Sequence, residues 1–141
     1  MNEHLINTIR GAVDSEVRKE AEDRGQLNLG MLKNKLSDFN SGLLVEFDKG
    51  GSPCEPHSYR GYYDQLALER SDSKRTVSEV LEILEEATGK TYTGYKGGDF
   101  RMTDYTMVWG SSYGTSSGIA IVDVVKENDK VVIKTKDTYN E

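Results

Sequence analysis

Ile119-Ala120-Ile121-Val122-Asp123-Val124-Val125-Lys126 and Lys130-Val131-Val132-Ile133-Lys134-Thr135-Lys136 decide how this chain folds. Both runs are dense in β-branched side chains, whose stiff rotamers suit a pleated surface. Asn128-Asp129 between them accepts the backbone of a tight turn, so the runs read as a pair of joined strands. Strict alternation puts Val122 and Val124 on one face and Asp123 on the other, beside Ile121 and Val125. A carboxylate among apolar neighbours needs a partner. Two are open to it: an arginine such as Arg60 or Arg101, or the hydroxyls of a ribose.

Upstream, Leu5, Ile9, Val13, Val17 and Ala21 recur at helical spacing and predict a helix over 3–24, stopped at Gly25. Its apolar stripe is thin, suited to the core or to a partner. Leu29, Leu32, Leu36 and Phe39 predict a second helix. The period then changes. Leu43 to Phe47 suits a strand, followed by the breaker Asp48-Lys49-Gly50-Gly51-Ser52-Pro53. Cys54 to Ser58 reads as loop because of Pro56, and 60–70 as extended chain. Thr76-Val77-Ser78-Glu79 has the pattern of a capping box. Behind it Val77, Val80, Leu81, Leu84 and Ala87 form a helical stripe that Gly89 ends. A further short strand is expected near 106–109. The expected fold is α+β: a mostly antiparallel sheet with a capped helix packed on it and N-terminal helices. Residues 1–40 form a helical segment for core or oligomer contact and 41–141 the α+β domain, together one compact unit.

Bulk properties narrow the function. The 141 residues carry a net charge of −6, so clustered cations for binding a nucleic-acid polymer or an anionic membrane are not expected. The single cysteine, Cys54, excludes an intrachain disulfide and fits a reducing compartment. No apolar run approaches the roughly 20 residues of a membrane span, and the N-terminus does not read as a signal peptide. The two histidines, His4 and His57, lie too far apart for a local metal motif. His57, beside a cation and aromatic rings, reads either as a ligand contact or as plain surface. No P-loop, dinucleotide fingerprint or nucleophile elbow is present. No catalytic residue, metal or cofactor is expected.

What is present is a set of cations beside rings and glycines. Ser58-Tyr59-Arg60-Gly61-Tyr62-Tyr63 and Tyr95-Lys96-Gly97-Gly98-Asp99-Phe100-Arg101 each join these residue types. Arginine and lysine pair with phosphate, aromatic faces stack on bases, and glycine lets the backbone approach a ligand. Tyr59 to Tyr113 also includes Tyr92, Tyr105 and Trp109, rings that equally suit cross-strand pairs in a sheet. Gly110-Ser111-Ser112-Tyr113-Gly114-Thr115-Ser116-Ser117-Gly118 reads as a hairpin connection or as a loop that closes over a ligand. The candidate ligand-binding set is therefore Arg60, Tyr62, Lys96, Phe100, Arg101, Trp109, Ser112, Tyr113 and Asp123.

At Ser58–Leu68, the Thr76 helix ending in Gly89-Lys90-Thr91, Tyr95–Phe100 and Ser112 to Val124, the chain resembles the first type of phage Thoeris anti-defence proteins. The resemblance covers roughly residues 43 to 136. It implies a sponge and not an enzyme: a protein that binds cyclic ADP-ribose-type immune signals, and in some members cyclic di- or trinucleotides, without cleaving them. It also implies a homo-oligomer, a dimer or an assembly of dimers, acting in the cytoplasm of a bacterial host. The competing readings are an enzyme that cleaves cyclic nucleotides and an acidic inhibitor that binds a host defence protein.

Overall fold

The computed structural model describes residue 23 and residues 25–58, 65–93, 99–110 and 119–137. Helix α1 (Leu29–Ser37) begins at Asn28, whose side-chain oxygen accepts the Met31 N–H at 2.8 Å. It buries Leu29, Leu32 and Leu36 on one side. Strands β1 (Leu44–Phe47), β2 (Ser52–Ser58), β3 (Leu66–Ser71) and β4 (Arg75–Thr76) lead to helix α2 (Val77–Ala87). Then come β5 (Thr91–Thr93), β6 (Asp99–Arg101), β7 (Val108–Trp109), β8 (Ile119–Glu127) and β9 (Lys130–Asp137).

Seven strands form one sheet in the order β2-β3-β7-β8-β9-β1-β4, and β5-β6 form a separate ribbon. β9 sits near its middle, antiparallel to β8 and parallel to β1. β3 and β7 are also parallel. Past β1 the chain turns sharply: Gly50 and Gly51 adopt φ of 98° and 80°, which a Cβ would strain. The Phe47 N–H donates to Gly51 O at 2.7 Å and the Ser52 hydroxyl to Val45 O at 2.7 Å. Edge strand β2 is thereby held against β1 from the far end of the order, and the sheet curls into a nearly closed barrel.

This corrects the expected fold class. Strand accounts for 48% of the described residues and helix for 22%, so the sheet wraps most of its own core instead of lying flat under helices. The expected N-terminal helix over 3–24 lies outside the described residues but for Asp23. Two helices are described, and of the expected N-terminal pair only α1 is among them. The other source of the error is β2, expected as loop. Pro53 and Pro56 lack N–H donors, which a central strand would not tolerate. β2 is an edge strand, and its pairing with β3 shifts register between Pro53 and Pro56.

Alternation along the strands separates two apolar clusters. Leu66, Leu68, Val108, Ile121 and Ile133 join α1 and α2 in the main core, whereas Ala67, Trp109 and Ala120 form a small cluster on the other face. At Gly110 a Cβ would come within 3.1 Å of the Phe47 ring, so any larger residue there would press on the ring. No helix among the described residues is long and apolar enough to cross a membrane.

The capping box forms as its sequence predicts. The Glu79 N–H donates to Thr76 Oγ1 at 3.3 Å, and Glu79 Oε1 accepts the Thr76 N–H at 3.0 Å. Those bonds from Thr76, backbone first, hold the exposed Glu79 carboxyl below its ordinary range. Its contribution is therefore present above the ordinary carboxylate value and lost as pH falls through the lowered one. Thr76→Ala is expected to cost about 1 kcal/mol in urea unfolding at neutral pH. The gap to the parent protein should shrink on acidification; a gap constant with pH would deny the box its role.

Candidate functional site

Helix α2 stops at Gly89, which takes φ of 82°. Its N–H donates to Met102 O at 2.6 Å, and Met102 N–H returns a bond to Lys90 O at 2.9 Å. This turn throws Lys90 and Tyr92 back across the end of α2, where they meet Cys54 and Pro56 of β2 and Arg75 of β4. The result is a cavity of about 210 Å³, with Glu55 and Glu86 also on its lining.

Two side-chain atoms in this wall, Arg75 Nε and Tyr92 Oη, are buried without a hydrogen-bond partner. Each is a donor when protonated. Leaving such a group unsatisfied costs roughly 1–3 kcal/mol, so both are poised for an acceptor from outside the chain. Burial, reinforced by the negative charge of Glu86, pushes the Tyr92 phenol above its ordinary pKa, which keeps the hydroxyl protonated. The Lys90 ammonium lies 5.1 Å from the centroid of the Tyr92 ring. The cavity therefore offers three donors, two on cations, opposed by two carboxylates. That mixture suits a ligand with both phosphate-like acceptors and hydroxyl or amine donors.

A larger cleft of about 590 Å³ lies between α1, α2 and the turn at 103–106. Its cation is already committed: Lys33 Nζ lies 2.9 Å from Asp104, 3.5 Å from Glu85 and 3.0 Å from Thr88 Oγ1. Burial pulls the Lys33 pKa down, but the bond to Asp104 and the charges of Glu85 and Asp104 outweigh it and hold the ammonium above its ordinary value. This cleft has no donor to spare for an anion among these groups.

Of the residues expected from sequence, Arg60, Tyr62, Lys96, Ser112 and Tyr113 lie outside the described residues. Phe100 sits directly across from Tyr92 in the β5-β6 ribbon, half-buried against the main core. It is the cross-strand aromatic partner of Tyr92 and is not among the residues lining the cavity. Arg101 is exposed at the end of that ribbon, opposite Thr91. Trp109 is only 7% exposed, and its indole N–H donates to Gln65 Oε1 at 2.6 Å. That burial leaves little of its face for stacking.

Asp123 departs most from expectation. The β8-β9 register shifts between Ile121 and Asp123, so Ile121 and Val124 both enter the core and Val122 packs on the other face. Asp123 is not enclosed by apolar side chains. It is about half exposed, lies 3.3 Å from Lys35 of α1, and accepts the Val124 N–H. Among the described residues its partner is a lysine and not Arg101, while Arg60 lies outside them.

Sequence reasoning missed Arg75 and Lys90. Both flank the capped helix, one before Thr76 and one after Gly89, and nothing in either spacing shows that the helix ends converge on β2. Comparison with protein-family models, curated proteins and solved structures finds no match to this chain.

Two substitutions separate the ligand wall from the core. Tyr92→Phe removes only the orphaned hydroxyl and is expected to leave thermal stability unchanged or raise it by up to about 1 kcal/mol. Phe100→Ala, by contrast, is expected to cost about 2 kcal/mol through lost packing. Equal destabilisation by both would mean that the Tyr92 hydroxyl has a partner within the protein.

Proposed function

We propose that this protein is a phage anti-defence sponge that sequesters a small cyclic nucleotide of the glycocyclic ADP-ribose type without cleaving it. The observation that carries the reading is the cavity beside α2, where Arg75 Nε and Tyr92 Oη lack partners and Lys90 adds a cation. Arg75 and Lys90 meet the phosphates. Glu55 and Glu86 accept from ribose hydroxyls or an exocyclic amine. The resemblance of 43–136 to the first Thoeris anti-defence proteins supports the same ligand class.

The cavity is smaller than the roughly 300–1,000 Å³ usual for small-molecule sites, so it takes one end of such a ligand. In this reading Arg60, Tyr62, Lys96, Ser112 and Tyr113 supply the remainder, and the sponge works as a homo-oligomer in the host cytoplasm. Sequestration requires tight, stoichiometric binding and no chemical step.

Capture and release tests this directly. Purified protein is mixed with glycocyclic ADP-ribose, filtered, denatured by heat, and the released nucleotide identified by mass spectrometry. Release of intact ligand in stoichiometric amount is the expected result; no captured ligand, or a cleaved product, overturns the reading. Lys90→Ala removes a charge-assisted hydrogen bond, a loss of about 1.5–3 kcal/mol. It should weaken capture about tenfold to a hundredfold with little change in melting temperature.

A further inference from the structure

We propose that Glu55, His57 and Glu69 form a binding site for a divalent transition-metal ion, with Zn²⁺ as the best match. Glu55 and His57 stand two apart on β2, and the Glu55 carboxylate comes within 3.8 Å of His57 Nε2. Glu69 lies on the neighbouring strand β3, at the level where the β2-β3 register shifts between Pro53 and Pro56. One ligand atom from each residue falls within 4.8 Å of the other two.

The separations leave room for an ion between the three side chains. His57 Nε2 lies 3.5 Å from Glu69 Oε2 and 3.8 Å from Glu55 Oε2. A charge-assisted hydrogen bond would close to about 2.7–2.9 Å. Ligands bound at about 2.0–2.2 Å around a tetrahedral Zn²⁺ stand about 3.4 Å apart, close to what is seen. Two carboxylates and a neutral imidazole supply two negative charges to a 2+ ion. The imidazole favours Zn²⁺ and late first-row neighbours such as Co²⁺ and Ni²⁺ over Mg²⁺ and Ca²⁺, which prefer oxygen ligands. Three protein ligands leave a fourth position open to water or to an acceptor group.

The placement has two consequences. An ion here would strap edge strand β2 to β3 where prolines interrupt the strand. Because Glu55 also borders the 210 Å³ cavity, the ion would sit beside the cavity wall. The site itself does not depend on the nucleotide reading, and it is tested with metal alone.

Untagged full-length protein, stripped with chelator and desalted, is titrated with Co²⁺ and then with Zn²⁺. The expected result is one equivalent of bound Co²⁺, with the visible d–d bands of a low-coordinate site, displaced by Zn²⁺. Zn²⁺ should also raise the melting temperature of the parent protein. Glu69→Gln and His57→Ala should each lower Zn²⁺ affinity at least tenfold and abolish that rise, while His4→Ala leaves both unchanged. Failure to bind Co²⁺, or full affinity retained in both Glu69→Gln and His57→Ala, overturns the assignment. Capture of intact nucleotide is read separately by mass spectrometry, so either proposal can fail without the other.

Discussion

One extra residue in β8 governs the packing of the whole sheet. Between Ile121 and Asp123 the strand gains a residue relative to β9, and the alternation of its side chains reverses phase. Ahead of the shift, Ala120 and Val122 face the small cluster with Trp109, and Ile121 faces the main core. Beyond it, Val124 takes the inward position, opposite Ile133. Without the shift Asp123 would point inward, and a buried carboxylate would need several kcal/mol of compensation. With it, the carboxylate reaches Lys35 and ties α1 to the sheet.

That docking of α1 is reinforced at its other end. The Leu27 N–H donates to Ile121 O, on the same strand as the bulge, at 2.8 Å. The first backbone donors of α1 are then satisfied by the turn at 103–106: Leu29 N–H to Thr106 O and Gly30 N–H to Asp104 O. Gly30 permits this approach, since a Cβ there would sit 3.1 Å from that of Asp104. Lys33 joins the same turn to α2 through Asp104 and Glu85. The two helices are fixed to each other and to β8, which positions the far end of α2 against β2. The cavity forms at that end.

Local structure was legible in the sequence wherever one short-range rule dominated. The hairpin of β8 and β9 follows from β-branched runs and from Asn128, which takes φ of 57° in the turn. The two described helices follow from leucine spacing, Asn28 and the Thr76–Glu79 box. What the chain did not disclose depends on long-range pairing. Prolines at 53 and 56 read as loop because nothing local marks β2 as an edge strand. The parallel pairing of β1 with β9 joins segments more than eighty residues apart. Asp123 was placed on the wrong face because strict alternation carries no signal for an inserted residue. The same limit applies to Arg75 and Lys90, which share one cavity only through the tertiary packing of α2 and β5 against β2.

The position of the cavity bears on what kind of protein this is. Its walls come from β2, β4, α2 and β5, elements held by the barrel edge and by the stop at Gly89, so its donors are fixed before any ligand arrives. Donors fixed in advance favour affinity, because little ordering is needed on binding. The Tyr92 phenol is held in its neutral form by burial, reinforced by the charge of Glu86. With the buried Arg75 Nε and the Lys90 ammonium, it can grip an acceptor-rich molecule. A site assembled this way suits a ligand rich in hydrogen-bond acceptors.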